Sequence, residues 1–464
     1  MNFRVLCFGL FILFFVGVGT TAACATERLE ILAHQAISEN QSEANTAIAA
    51  LREAGPAGLD ALIDAHRAEI NRHLLMTDAP STPAWERISQ ALDAVGKQRN
   101  CYTSQLYWYT DFEAAKAAAR ASGKPILSLR LLGNLDEELS CANSRFFRTI
   151  LYANADVSEF LRQRFVLHWK SVRPVPKVTI DFGDGRKMER TITGNSIHYV
   201  LDSEGRVVDA LPGLYGPQTF LRGLKPAHVA ALLASDPAIS LEQRAALLNE
   251  YYSRQSKRIL TKWNQELALM KPDVLTANLG RRTTSPTPTP TLAKVPTARD
   301  AAPVAVTKRA VEINLLKNFF ITDIAELEAA TDQNTWQALA SLHFADAKLD
   351  ERSLHFIRRQ GSGTCGIADA PDQSGTAVAR FDRMVQNFER LVALDTVRNE
   401  YLFHTKIYDW LQAGGGKNVD ELNERVYAEL FLTPSSDPWL GLLPTDTYTA
   451  IQNEGIVSGD KVTR

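Results

Sequence analysis

Cys141 is the residue of this chain with the clearest capacity for chemistry. It stands in the segment Cys141-Ala142-Asn143-Ser144, where a polar loop leads into a predicted helix. A thiol at a helix start is a candidate nucleophile, because backbone N–H groups and the helix dipole favour the thiolate. Ser144 occupies the resolving position three residues on, so Cys141 cannot close a disulfide within this segment. Cys141 and Ser144 are therefore the candidate site residues.

The other cysteines leave two readings of Cys141 open. Cys101 lies just ahead of the first helix of the same predicted unit, and pairing it with Cys141 closes a loop of about 40 residues, worth about 3–4 kcal/mol by chain entropy. The alternatives are a reactive thiol or an inert one. Cys365 lies in a glycine-rich loop and is expected to be exposed. Asp136, Glu137 and Glu138 precede Cys141, and acidic neighbours oppose thiolate formation.

No other motif predicts a cofactor or a metal. The segment from Gly361 to Gly366 matches G-x-G-x-x-G, but it follows a helical stretch instead of a strand, which argues against dinucleotide binding. His66, Glu69 and His73 share one helix face, a pattern more typical of a solvated face than of a metal site. His168 and His198 lie in predicted strands, and a proton-transfer role for either is a minor alternative.

The N-terminus predicts export. Arg4 precedes an apolar run from Val5 to Val18, and small residues around Ala23 and Ala25 follow, which is the layout of a cleaved signal peptide. Retention as a membrane anchor and lipidation at Cys24 are less favoured alternatives. We expect a periplasmic or extracellular protein that keeps no membrane segment after cleavage. Such a compartment is oxidising.

Composition excludes some partner classes. The chain has 464 residues, 45% of them hydrophobic, and a formal net charge of -2. This balance permits packed cores and gives no overall basic character that would favour nucleic acid. The expected partner is a protein or a thiol or disulfide client.

Periodicity and linker composition divide the chain into units. Residues 44–66 resemble a single HEAT-type helical hairpin, with apolar residues at helical spacing on both sides of Gly55-Pro56. Residues 102–225 alternate strand and helix signals, which favours an α/β unit with a mixed sheet. The predicted units are a signal peptide (1–25), a helical segment (26–100), the α/β domain (101–227), a helical extension (228–280), a Pro/Thr/Ala-rich linker (281–309) and a helical C-terminal domain (310–464).

The α/β unit resembles the thioredoxin superfamily over about residues 108–224, a quarter of the chain. The order of elements carries the resemblance more than any one motif. The matching segments are Gly123-Lys124-Pro125-Ile126-Leu127, the Cys141–Ser144 segment, Tyr152-Ala153-Asn154-Ala155-Asp156-Val157, Arg164-Phe165-Val166-Leu167, and Ile197-His198-Tyr199-Val200-Leu201-Asp202-Ser203-Glu204-Gly205-Arg206. The resemblance implies an α/β thioredoxin-like domain, flanked here by mainly α-helical N- and C-terminal regions.

Three departures from the family pattern bear on activity. Ser144 replaces the second cysteine of C-x-x-C, Ser196 replaces the proline that faces the thiol, and the strand Ile126–Leu132 lacks the buried carboxylate of disulfide reductases. The first prediction is monothiol exchange or redox sensing through Cys141. The alternative is a non-enzymatic binding or structural protein with a degenerate thioredoxin fold and a Cys101–Cys141 disulfide.

Overall fold

The computed structural model describes residues 26–76, 79–192, 194–269, 333–361, 374–416, 418–438 and 440. The predicted signal peptide, the predicted linker and Cys365 lie outside the described residues. Within them, no helix combines the length and apolar character needed to cross a membrane.

The described chain begins with helices. Asn40 caps α2 by accepting hydrogen bonds from the backbone N–H groups of Ser42 and Glu43. Gly55 takes a positive φ of 71° and Pro56 opens α3, which confirms the predicted break between two helices. The helices are α1 (26–35), α2 (Gln41–Glu53), α3 (Pro56–Ala65), α4 (Arg67–Leu75), α5 (Pro83–Gly96) and the single turn α6 (Cys101–Ser104).

These helices bury their own core. Leu51, Leu62, Ile88 and Leu92 are members of a cluster of buried side chains that draws mainly on α1 to α6. A Cβ on Gly58 would come within 2.0 Å of the Leu51 carbonyl oxygen, so α2 and α3 cross at a point where only glycine fits. The hairpin is thus stabilised by packing on α5 as well as on itself.

A five-stranded mixed sheet follows, in the order β1-β3-β2-β6-β7. β1 and β2 run parallel to β3, whereas β6 is antiparallel to β2 and β7 antiparallel to β6. A separate hairpin, β4 with β5, is inserted between β3 and β6. The strands are β1 (Trp108–Tyr109), β2 (Ile126–Leu132), β3 (Val166–Arg173), β4 (Lys177–Asp181), β5 (Lys187–Thr191), β6 (Ser196–Leu201) and β7 (Val207–Pro212).

Helices flank this sheet. Asp111 caps α7 by accepting a hydrogen bond at its carboxylate, and Asn154 caps α9 by accepting one at its amide oxygen. The helices are α7 (Phe112–Ser122), α8 (Ala142–Phe146, continued by a π-helical turn, Phe147–Leu151), α9 (Ala155–Arg164), α10 (Pro217–Ala234) and α11 (Leu241–Leu269). A mixed sheet with flanking helices, together with helical regions at either side, confirms the predicted fold class at this level.

The C-terminal helices share a core with the sheet. Trp336, Tyr401, Trp410 and Tyr427 belong to the same buried cluster as the strands β2, β6 and β7. The elements are α12 (Gln333–Ser341), α13 (Glu351–Gly361), α14 (Ser374–Arg398, continued by a π-helical turn, Asn399–His404), α15 (Thr405–Gln412) and α16 (Val419–Arg425, continued by a π-helical turn, Val426–Leu430). The predicted unit boundaries stay predictions.

Candidate functional site

Cys141 lies at the amino end of α8, in the loop that follows β2. Its backbone N–H donates to the Leu132 carbonyl oxygen over 3.3 Å, which ties the loop to the end of the strand. Its Sγ caps the helix by accepting from the Ser144 backbone N–H at 3.4 Å. The sulfur thus has the helix-start position that the sequence predicts. The Cys141 side chain is nevertheless fully buried, with 0% exposure.

Neither the Ser144 hydroxyl nor Cys101 is bonded to the Cys141 sulfur. The Ser144 hydroxyl does not bond to the sulfur, because its Oγ is buried and has no hydrogen-bond partner among the described residues. Cys101 and Cys141 are not joined to each other, so the predicted structural disulfide is wrong for this structure. Cys101 belongs to the core of the N-terminal helices, whereas Cys141 belongs to the core of the sheet. Spacing along the chain could not reveal that these are two different cores.

A buried polar contact joins β6 to α8, the helix that follows Cys141. Asn143 Nδ2 donates to Ser196 Oγ over 2.8 Å. Ser196, which stands where the family pattern has a proline, is therefore in contact with α8. Both side chains are buried. This contact ties the helix that bears Cys141 to the first residue of β6.

His198 is not placed to serve as a base. Its Nε2 forms a 2.6 Å hydrogen bond with the hydroxyl of Tyr152, and the aromatic rings of Phe147 and Phe220 pack around it. Complete burial lowers the pKa of His198 to about 3. The imidazole is therefore neutral at ordinary pH, and its Nε2 is engaged by Tyr152, while its buried Nδ1 has no hydrogen-bond partner among the described residues.

The acidic loop before Cys141 is held by cations of the N-terminal helical segment. Lys97 Nζ lies 3.3 Å from Asp136 Oδ2, and Arg99 Nε lies 3.2 Å from Glu138 Oε2. The Arg99 backbone N–H also donates to the carbonyl oxygen of Leu135. The loop is thus docked on the connection between α5 and α6, and two of the three carboxylates that precede the thiol, Asp136 and Glu138, have cationic partners.

A C-terminal segment packs beside the candidate site. We call residues 427–437 the C-terminal cover. The Tyr427 hydroxyl donates to the carbonyl oxygen of Asn195, the residue before β6, over 3.1 Å, and Asn195 Nδ2 donates to Thr433 Oγ1 over 3.0 Å. Arg173, at the end of β3, donates to the carbonyl oxygens of Thr433 and Asp437.

Tyr427, in the C-terminal cover, interacts electrostatically with Cys141. Burial raises the pKa of Tyr427 well above its ordinary value, and the Cys141 charge contributes in the same direction. The C-terminal cover therefore contacts the chain just before β6, and its Tyr427 lies within electrostatic range of Cys141.

One face of the sheet carries a buried arginine that sequence reasoning missed. Arg130, on β2, is 1% exposed and donates to Ser128 Oγ over 2.7 Å. Its Nη2 donates to Asp420 Oδ1 on α16 over 3.2 Å. Lys170 contacts the other oxygen of the same carboxylate. The C-terminal region thus supplies the counter-charge for a cation in the central strand.

His168 completes this group as a neutral side chain. Its Nδ1 lies 2.8 Å from Ser128 Oγ. Burial and the nearby Arg130 charge lower the pKa of His168 to about 3. A proton-transfer role at the Cys141 site is therefore not supported for His168, which serves the Arg130 group instead.

A second buried polar group joins three parts of the chain around Asp209 on β7. Asp209 Oδ1 lies 2.8 Å from His404 Nε2, and Oδ2 accepts from the hydroxyls of Tyr251 on α11 and Tyr408 on α15. Burial alone would raise the pKa of Asp209, but these partners outweigh it and the pKa lies below its ordinary value. No sequence pattern marks this group, since its members are up to 199 residues apart.

The three residues considered for a metal, His66, Glu69 and His73, form contacts within the protein. His66 Nε2 lies 3.2 Å from the Ala33 carbonyl oxygen, and His73 Nε2 lies 3.2 Å from Glu69 Oε1 while its ring stacks on Trp85. Across the part of the chain that the structure describes, no three His, Cys, Asp or Glu side chains are arranged to hold a metal ion.

Comparison with known proteins adds no relative. No family model matches the chain, and searches of curated proteins and of solved structures returned no significant match.

Proposed function

We propose that this chain is an exported, thioredoxin-like protein that acts by binding a partner protein and not by thiol–disulfide exchange. Export rests on the apolar N-terminal run and the small residues behind it. The thioredoxin-like assignment is supported by the mixed sheet, by a cysteine that caps the helix after β2, and by Ser196 in contact with that helix.

The complete burial of Cys141 carries the non-enzymatic part of the proposal. A thiolate must reach a substrate disulfide sulfur in order to attack it. Cys141 has 0% exposure, and the C-terminal cover packs against Asn195, the residue before β6. Even if a substrate disulfide reached Cys141, the resulting mixed disulfide could not be resolved within this segment, because position 144 holds a serine and not a second thiol.

The neighbouring network supports a structural role for the C-terminal region. Asp420 neutralises the buried Arg130, and Asn423 accepts a hydrogen bond from the Tyr199 hydroxyl. Removing this region would leave a buried cation without its carboxylate, which is strongly unfavourable. The central strands β2 and β6 are therefore used for intramolecular packing against the C-terminal region.

A second candidate function is monothiol exchange or redox sensing, and one observation favours it. The Ser144 backbone N–H donates to Cys141 Sγ, an arrangement that stabilises a thiolate at a helix start. Under this alternative the C-terminal cover must move before the thiol reacts, and oxidation would proceed through a sulfenic acid or a mixed disulfide.

Thiol-exchange assays on the full mature chain distinguish the two functions. We would use a Cys365→Ser background, so that Cys365 contributes no signal, and compare it with the same chain carrying Cys141→Ser. The proposal expects equal, background-level reduction of a disulfide-linked fluorescent peptide and no trapped mixed disulfides in either protein. Turnover or trapped partners that disappear in Cys141→Ser would overturn it in favour of exchange chemistry.

A further inference from the structure

Helix α11 has two chemically different faces. One face is buried against the sheet domain and the C-terminal helices through Tyr251, Tyr252, Ile259 and Trp263. The other borders an open, shallow surface depression of about 380 Å³, which we call the cationic groove. Its described lining consists of Arg254, Lys257, Arg258, Thr261, Lys262 and Gln265.

The charges in the cationic groove are only partly compensated. Arg254 Nη2 lies 3.0 Å from Glu250 Oε1, and Lys262 Nζ lies 3.0 Å from Glu400 Oε2. Lys257 and Arg258, between them, form no ion pair with any carboxylate of the described residues. Both are exposed. The described lining contains no acidic side chain, and Thr261 and Gln265 add neutral polar groups that can donate hydrogen bonds.

We propose that the cationic groove binds a short, extended, acidic segment of a partner protein. At 1.5 Å of rise per residue, Arg254 to Gln265 spans about 16 Å along the helix, the length of about five residues of extended peptide. Cations spread over this length complement a row of carboxylates better than a single compact anion.

The charge of the whole chain favours a short partner segment over a long polyanion. The formal net charge is -2, so the surface beyond the groove does not attract a polymer such as nucleic acid. This inference goes beyond the proposed function, because it uses a helix face apart from Cys141 and holds whether or not the thiol reacts.

Fluorescence anisotropy with a labelled hexaglutamate peptide tests the proposal on the full mature chain. We expect saturable binding that weakens as salt is raised. The double variant Lys257→Gln/Arg258→Gln should bind about fivefold more weakly, since each exposed charge contact is worth about 0.2–1 kcal/mol. The matched control is Lys177→Gln/Arg190→Gln, which changes the net charge equally on the exposed β4–β5 hairpin and should bind within about twofold of the unmodified chain.

Each other outcome overturns the proposal. Absence of saturable peptide binding would refute the proposed binding site. An equal loss of affinity in the control variant would show that binding follows net charge alone. Tripolyphosphate provides a third arm: if it binds the groove in preference to hexaglutamate, the ligand is a compact anion and not an acidic segment. Circular dichroism of both variants verifies that the fold is retained.

Discussion

The surroundings of Cys141 and of Asp209 are two buried polar regions built in opposite ways. Cys141, Asn143 and Ser144 come from one short segment, and Asn143 Oδ1 and Ser144 Oγ have no hydrogen-bond partners among the described residues. Asp209 instead gathers His404, Tyr251 and Tyr408 from distant parts of the chain, and both of its oxygens are engaged.

This contrast separates residue types that are typical of reactive sites from residues that stabilise the fold. The Cys141 region has the residue types of a reactive site, but its sulfur is buried and its polar neighbours are incompletely bonded. The Asp209 group has no sequence signature, yet it joins β7 to α11 and α15. We therefore expect substitutions to matter most at Asp209 and least at Cys141.

The largest effect is expected for Asp209→Ala. The change leaves His404 and two tyrosine hydroxyls buried without their shared acceptor, so the free energy of unfolding should fall by about 3–5 kcal/mol. Asp209→Asn keeps an acceptor oxygen and should cost less. Urea denaturation followed by tyrosine and tryptophan fluorescence measures both values. A loss below about 1 kcal/mol for Asp209→Ala would show that the group does not stabilise the fold.

The sequence alone predicts the local features of this contrast but not the distant ones. The apolar run of β2, the Gly55-Pro56 break and the helix start at Cys141 follow from patterns within a few residues, and each is present in the structure. Long-range contacts leave no such pattern.

Two features of the site depend on long-range contacts that the sequence does not reveal. The predicted Cys101–Cys141 disulfide fails because the two residues belong to separate cores, which only the packing of α5 and α6 reveals. The C-terminal cover, which contacts Asn195 just before β6, comes almost 300 positions after Cys141, and neither spacing nor composition predicts that contact.

The next largest effect is a loss of stability in acid to which His198 contributes. The pKa of this buried imidazole is about 3, below its ordinary value of 6.5, so the unfolded chain takes up a proton first as the pH falls. Its contribution is complete above pH 6.5 and falls by about 1.4 kcal/mol per pH unit towards pH 3, or about 2 kcal/mol at pH 5.

Asn substitution isolates this contribution. In His198→Asn the slope of unfolding free energy against pH should be shallower between pH 6.5 and 4 by that amount, whatever the cost at neutral pH. Asp93, whose pKa is raised to about 6 by burial, acts with the opposite sign in both proteins and cancels in the comparison. Parallel pH profiles for the two proteins would mean that His198 is not buried as a neutral side chain.

A smaller effect is expected where the C-terminal region meets the sheet. Asp420→Ala removes the carboxylate that pairs with buried Arg130, but the Asp420 side chain is 57% exposed and water screens the change. We expect a loss of about 1–2 kcal/mol in thermal or chemical denaturation. Lys170→Ala, which breaks only the exposed pair to the same carboxylate, is the matched control and should cost less than about 0.5 kcal/mol. Equal losses would assign the effect to surface charge.

The smallest effect belongs to Cys141→Ser. Serine is a preferred N-cap residue and can accept the Ser144 N–H as sulfur does, so the free energy of unfolding should change by less than about 1 kcal/mol. The same denaturation experiment measures it. A loss of several kcal/mol would mean that the thiol contributes packing that a hydroxyl cannot replace.

Alkylation of Cys141 in the folded protein tests the central claim most directly. The mature chain in the Cys365→Ser background would be treated with N-ethylmaleimide and the modified cysteines located by mass spectrometry, with and without denaturant. A closed site predicts that Cys141 stays unmodified in the native protein and reacts fully once the chain is unfolded. Rapid modification of Cys141 under native conditions, at the rate of an exposed thiol, would contradict the account.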